Sequence, residues 1–446
     1  MKDYVIGNGV VADGLGTFLD PGAVVVKDGR IVAVKPLDEV STDDGEWIDV
    51  GGRLILPGLI NMHHHFYSQF ASGISPHGDC EGFIDVLQDM WWPLDAAMDR
   101  DAVYWSGLCG AMDSLCHGVT AVFDHHASMN FVEGALDVLS QGIDAVGIKA
   151  ALCLEMSDRL GKDRIDSQFE ENLRFWSANR ASSKRRGMLG LHANFTLSDQ
   201  SMAYIGRERP GDMAIHVHCG EGRMDYDYCF ERGFKGPVDR LDSFGLLSSS
   251  SLLIHCIHIS NDDYRIIREK SPGVVTNPES NANNRVGAMD RSGIGPFLLG
   301  TDGMSGDMVA SLRSAFLLDR KADSLWEGLA AAFFSNRYDY VRKFFPDVRG
   351  FELGSAADIA VLDYVPLTPI SNENLLGHLI FGAKGGKAFM TMVDGEILWR
   401  EGRFSNPDLA DMYMEARKVV QGFHRRFYSS PWTSKLSESP REFSVE

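Results

Sequence analysis

The run Leu56-Pro57-Gly58-Leu59-Ile60-Asn61-Met62-His63-His64-His65 carries an apolar segment directly into three histidines. Successive side chains of a strand point to opposite faces, so His63 and His65 share one face and His64 takes the other. Two imidazoles at that spacing, at the end of a strand, suit a borderline cation such as zinc. By itself the stretch is equally readable as a solvated, histidine-rich turn. Its meaning depends on what the rest of the chain supplies.

Three later apolar runs end in related chemistry. In Ala214-Ile215-His216-Val217-His218-Cys219-Gly220-Glu221, His216 and His218 share a face and His218 lies nearer the end. Glu221 follows at the bend, where a carboxylate can move protons beside a metal without ligating it. His216 reads as a buried, hydrogen-bonded interior residue. In Leu252-Leu253-Ile254-His255-Cys256-Ile257-His258 the two histidines face opposite sides. His255 ends the apolar run and is the candidate for the site; His258 reads as loop. In Phe297-Leu298-Leu299-Gly300-Thr301-Asp302-Gly303 an apolar strand ends in a carboxylate. Asp302 alone is also readable as a helix cap. Its weight comes from following three strand ends that carry histidine.

These four runs belong to a longer alternation. Strand candidates fall at 54–62, 120–124, 146–154, 188–192, 214–218, 252–255, 273–277 and 296–301, with amphipathic stretches such as 101–116 and 262–270 between them. Eight strand–helix alternations over about 300 residues are the (β/α)₈ pattern, an α/β TIM-like barrel with chemistry at the C-terminal strand ends. The chain ends read differently. Two short runs around Asp28-Gly29 and two around Asp394-Gly395 are hairpins, and 357–363 is one more strand. They predict a small β-sandwich domain built from both ends of the chain. The expected division is 1–55 and 351–405 for the sandwich, 56–350 for the barrel, and 406–446 for a C-terminal helix (408–427) and a Ser/Pro-rich tail (429–446).

Bulk properties restrict the function. The 446 residues carry a formal net charge of -19, which disfavours nucleic acid and anionic membrane surfaces as partners. The 7 cysteines form no CxxC pair, so a disulfide framework is not expected and a reducing compartment is. The first residues show no signal-peptide pattern and no apolar run is long enough to span a bilayer, so a cytoplasmic protein is expected. Twelve of the 14 histidines lie between His63 and His258, within the alternating region. A homodimer is expected only because twofold symmetry is the commonest assembly.

The order HxH, HxxE, H and TD on strands one, five, six and eight resembles the amidohydrolase superfamily, in its cytosine-deaminase-like branch of chlorohydrolases, guanine deaminases and related aminohydrolases. Asn277-Pro278-Glu279-Ser280-Asn281, the 357–363 strand and Val393-Asp394-Gly395-Glu396 are similar to further segments of that branch. Within it, Met90-Trp91-Trp92-Pro93-Leu94-Asp95, Val122-Phe123-Asp124-His125-His126 and Gly190-Leu191-His192-Ala193-Asn194 resemble the SsnA-type aminohydrolases. The resemblance implies one divalent metal, zinc or else Fe2+, on His63, His65, His218 and Asp302. It implies that His255 hydrogen-bonds the attacking water or the substrate, that Glu221 moves a proton to the leaving group, and that His192 touches a small-molecule substrate. It implies a metal-dependent hydrolase of non-peptide C–N bonds, first of all a deaminase of a nitrogen heterocycle or amidine. Opening of a cyclic amide and chlorohydrolysis are the enzymatic alternatives, and a non-catalytic metal-binding accessory role is the alternative of another class. Two-metal relatives use a carboxylated lysine on a middle strand; Lys149 does not sit at a strand end and is rejected for that role. Two departures stand out: His64 where the branch has Thr or Ala, and Arg285 in the strand-seven loop.

Overall fold

The computed structural model describes residues 2–318, 325–383 and 386–429. The expected tail, apart from Ser429, lies outside them. Five strands open the chain: β1 (Tyr4–Ala12), β2 (Phe18–Lys27), β3 (Arg30–Pro36), β4 (Glu46–Asp49) and β5 (Leu54–Pro57). Nine follow in the middle: β6 (Leu59–His64), β7 (Val119–His126), β8 (Lys149–Met156), β9 (Arg185–Gly187), β10 (Leu189–Ala193), β11 (Ile215–Cys219), β12 (Leu252–His255), β13 (Gly273–Thr276) and β14 (Leu298–Leu299). Four complete the set: β15 (Ile359–Leu362), β16 (Ala388–Val393), β17 (Glu396–Arg400) and β18 (Arg403–Phe404).

The strands from the two chain ends form one sheet in the order β18-β17-β16-β15-β5-β1-β2-β3, with β4 beside β1. Both Asp-Gly hairpins are present as two-residue turns, and all four turn residues have positive φ, as a type I′ turn requires. The two turns touch: a Cβ on Gly395 would lie 2.4 Å from the Cα of Gly29. Val24 and Val26 from β2 share a buried cluster with Ile359, Val361, Met390 and Met392. The sandwich expected from the chain ends is thus one continuous sheet curled over this cluster, with Val5, Ala23 and Val25 forming a smaller one on its other face.

The middle strands run parallel in the order β14-β13-β12-β11-β10-β8-β7-β6, with β9 beside β8. Helices intervene, among them Arg100–Cys116, capped by the Asp99 carboxylate, and Asn261–Lys270, started by a Ser260/Asp263 capping box. The expected first strand, 54–62, is two strands in two sheets. Pro57 lacks an N–H to continue the ladder, and the chain crosses so close to Thr120 that a Cβ on Gly58 would lie 2.3 Å from its Oγ1. The third strand starts later than expected because Val146 ends a helix, which Gly147 terminates at φ +98.

The expected eighth strand, 296–301, forms a ladder only over Leu298–Leu299. Closure of the barrel instead rests on individual bonds. The Thr301 and Asp302 amides donate to the His63 carbonyl (2.9 and 3.0 Å), and the His65 amide donates to the Asp302 carbonyl (3.3 Å). At the opposite end, Lys149 opens β8 and is buried. Its Nζ donates to Asp358 (2.7 and 2.9 Å) and to Asp394 (2.7 Å), tying the barrel floor to the curled sheet. The C-terminal helix Asp408–Ser429 buries Phe423 and Phe427 against the barrel, and Arg426 pairs with Asp99. All seven cysteines are free. No described helix is long and apolar enough to cross a membrane.

Candidate metal centre

The strand ends bring His63, His65, His218 and Asp302 together, with one ligand-type atom from each inside 4.8 Å of the others. His63 Nε2 and His65 Nε2 lie 3.3 and 3.0 Å from Asp302 Oδ1, and His218 Nε2 lies 3.2 Å from His65 Nε2. All four side chains are buried.

The other ring nitrogens are already engaged. His63 Nδ1 shares a hydrogen bond with His216 Nε2 (2.8 Å), His65 Nδ1 donates to the His125 carbonyl (2.6 Å), and His218 Nδ1 donates to the His192 carbonyl (2.9 Å). Each bond fixes the ring and leaves its Nε2 pointing at the common centre, the usual outer support of a metal-binding histidine. His63 Nε2 has no hydrogen-bond partner despite complete burial. Three imidazole nitrogens and one carboxylate oxygen are a donor set that fits zinc or Fe2+. The electrostatics point the same way. Burial drives His63 well below its ordinary range, and burial with the neighbouring His65 drives His218 down to about 3. At His65 burial is outweighed by the Asp302 carboxylate, helped by Asp124 and Glu155, and its pKa rises to about 9. The Asp302 carboxylate, held well below its ordinary range against burial by His63 and His65, calls for positive charge beside it. A proton on His65 or a divalent cation supplies that charge.

His255 and Glu221 form the next layer. His255 ends β12 at φ +75, a strained conformation of the kind kept where function requires it. Its Nδ1 is 2.8 Å from Asn281 Oδ1, and its Nε2 faces Glu221 Oε2 (3.4 Å) and Asp302 Oδ2 (3.5 Å). Burial and the Asp302 charge raise Glu221 to about 7, against the pull of His255 and a hydrogen bond donated by Asn284 (3.1 Å). His258 turns away and bonds the Val286 carbonyl. His216 is the buried, hydrogen-bonded interior residue expected. His192 lines the cavity beside the four, its Nδ1 held by Thr196 Oγ1 (2.9 Å). In the Asp124-His125-His126 group, Asp124 accepts from the Phe66 amide (2.6 Å) and His125 bonds the Leu191 carbonyl (3.1 Å), so both brace the strand ends.

The far wall of this cavity is built from residues to which the sequence assigns no role. Phe83, Leu87, Trp91 and Trp92 come from a helical segment interrupted by a π-helical turn at Leu87–Trp91, and Tyr67, Asp95 and Glu155 stand beside them. Arg159 bonds Asp95 Oδ2 (3.0 Å) and also Glu155. Asp95 Oδ1 and Trp92 Nε1 are buried without a partner. The one signal was the Met90-to-Asp95 motif, which as a sequence carries no strand-end position and hence no role. The cavity holds about 50 Å3 and adjoins an outer chamber of about 670 Å3 that shares Trp91 and Asn284 with it.

Residues 54–398 match the amidohydrolase family. The chain belongs to that family. As an amidohydrolase it is a hydrolytic enzyme for C–N bonds, in a family that uses a divalent metal. Among its relatives is a 5-methylthioadenosine/S-adenosylhomocysteine deaminase of Desulforudis audaxviator, 25% identical over 426 residues and covering 90% of this chain and 94% of the relative. A 5'-deoxyadenosine deaminase of Methanosarcina mazei is 26% identical over 439 residues, with 94% and 98% covered. Among solved structures, a zinc-bound adenosine deaminase from Xanthomonas campestris superimposes with a TM-score of 0.79 at 22% identity, covering 96% of this chain and 99% of that one. The atrazine chlorohydrolase TrzN of Arthrobacter aurescens gives 0.77 at 19% identity, covering 94% and 100%. The two structures share the fold of this amidohydrolase.

Proposed function

We propose that this amidohydrolase is a deaminase that replaces the exocyclic amino group of a nitrogen heterocycle with water, releasing ammonia, and that its substrates are aminopurine nucleosides or their 5′-modified derivatives. The observation that carries this reading is Glu221. Its largely buried carboxyl lies 3.4 Å from His255 Nε2 at the edge of the four-residue cluster, where a departing nitrogen needs a proton, and desolvation favours its protonated form. The deaminase names of the relatives support the substrate class.

In this reading His63, His65, His218 and Asp302 hold one zinc, with Fe2+ as the alternative. The bound cation supplies Lewis acidity that brings the pKa of water down to about 7. Asp302 Oδ2 accepts the proton that the attacking water loses. His255 Nε2, fixed through Asn281, stabilises the negative charge that develops on the oxygen. Glu221 delivers a proton to the amino nitrogen, so that water and R–NH2 leave as R–OH and NH3, and the proton taken up by Asp302 returns to Glu221 through solvent. Phe83, Trp91, Trp92 and His192 line the inner cavity and give the substrate ring an apolar wall.

The test is ammonia release by zinc-loaded protein from adenosine, 5′-deoxyadenosine, methylthioadenosine, S-adenosylhomocysteine, adenine and guanine, with Glu221→Gln as control. Release above that control supports the reading. No ammonia from any of them, with ring opening of a cyclic amide or chloride release from a chlorotriazine, would replace it.

A further inference from the structure

At the closure of the barrel a side chain adds to the backbone bonds. Between β14 and β6 there is no ladder, only an isolated parallel bridge between His64 and Asp302. His64 Nδ1 lies 2.9 Å from the Asp302 carbonyl oxygen and 3.0 Å from Thr301 Oγ1. A carbonyl can only accept, so Nδ1 carries the hydrogen. Thr301 Oγ1 is itself fixed by a hydrogen bond from Asn61 Nδ2 (2.7 Å). Asp302 stands at φ +56, in the left-handed region that an L side chain adopts reluctantly. Its backbone is therefore held in place by its surroundings, and its carboxylate faces His63, His65 and His255 as a result. His64 is fully buried and its ring packs edge-on against Phe66.

We infer that His64 is a positioning residue for the metal centre. Its Nδ1–H pins the Asp302 carbonyl and Thr301 to the end of β6, which sets the angle at which the Asp302 carboxylate meets the cation. The two neighbouring histidines, His63 and His65, face the centre; the one between them fixes the fourth member of the same set from outside. The inference rests on the reading of Asp302 as a ligand, and its test does not require that the substrate be known.

His64→Leu fills the space without a donor, and His64→Asn keeps an N–H near the Nδ1 position. Zinc affinity is measured by competition with a chromophoric chelator, and ligand geometry by the visible absorption of Co2+-loaded protein. We expect His64→Leu to bind zinc roughly 10- to 100-fold more weakly, with altered Co2+ bands. His64→Asn should stay within about threefold of the unaltered protein, with unaltered bands. If His64→Leu does not fold, His64→Gln takes its place, since its amide reaches the Nε2 position and misses the Asp302 carbonyl. A folded His64→Leu or His64→Gln protein with unchanged zinc affinity and Co2+ spectrum would overturn the inference. Loss of zinc in His64→Asn equal to that in His64→Leu would overturn it too, because the donor would then not matter. Absence of ammonia release with these zinc differences intact would count against the proposed reaction and leave the role of His64 standing.

Discussion

Glu221 and His255 face each other across 3.4 Å, each held from behind by an asparagine of one short segment, Asn284 for the glutamate and Asn281 for the histidine. The helix Pro278–Asn283 after β13 contributes no residue to the four-member cluster, yet it and its C-cap Asn284 orient both Glu221 and His255, to which the proposed reaction gives the proton for the departing nitrogen and the charge stabilisation at the oxygen. This arrangement separates proton transfer from metal binding, and the two can be lost independently.

Glu221→Gln preserves the shape and the Asn284 contact and removes the proton. It should retain stoichiometric zinc while kcat falls by roughly 10²- to 10⁴-fold. Metal analysis and steady-state kinetics on the same preparation check both halves. Retained turnover would remove Glu221 from the reaction.

Asp302→Ala should lose both zinc and activity, since in the proposed reaction the carboxylate is at once a metal ligand and the acceptor of the water's proton. A chelator should abolish the activity of the unaltered protein, and added zinc should restore it. A fully metallated and active Asp302→Ala protein would sink the ligand assignment.

The margin by which metal-free protein exceeds its Glu221→Gln variant in stability should shrink as pH rises from about 4.5 to about 7. Burial raises Glu221 to about 7 in the fold, whereas a glutamate in the unfolded chain ionises near 4.3. Between those values the folded state holds a proton on Glu221 that the unfolded state has released, so this group's contribution is full at low pH and is lost as pH approaches about 7. Buried histidines such as His63 and His218, held below their ordinary range, act in the opposite direction in both proteins and cancel in the difference. Melting temperatures of the two chelator-treated proteins between pH 4.5 and 8 read this margin, and a margin that does not change with pH would show Glu221 ionised in the fold throughout.

Lys149→Met should destabilise the protein by about 3–5 kcal/mol, because Asp358 would remain buried without its counter-charge. Zinc affinity should not change, since Lys149 lies at the barrel floor. Pairing Lys149→Met with Asp358→Leu should recover part of the loss in denaturant titrations. Two additive losses would show that the ion pair does not couple the barrel to the curled sheet.

The sequence was most legible where side-chain alternation and strand ends coincide. His63 with His65, His218 in preference to His216, and His255 in preference to His258 followed from which residues share a face and which end an apolar run. The structure brings these same side chains to one mouth. The Asp-Gly turns were equally legible, because a two-residue hairpin needs positive φ at both positions and few residue pairs accept it. Strand limits were less so. Pro57 marks an interruption of the ladder within 54–62, but does not show that the chain passes there from one sheet to another, which depends on the close approach of Thr120 to Gly58.

By itself, then, the sequence determined the alternation of elements, the pairing of both ends into one sheet, and the strand-end side chains of the site, because these depend on local periodicity and turn geometry. Tertiary structure alone decided the pocket wall, the hold of Asn281 and Asn284 on His255 and Glu221, and the link from His64 to Asp302. Those contacts join residues as far apart as the first and last barrel strands. No spacing along the chain encodes them, and they exist only once the sheet closes and brings those side chains within hydrogen-bond reach.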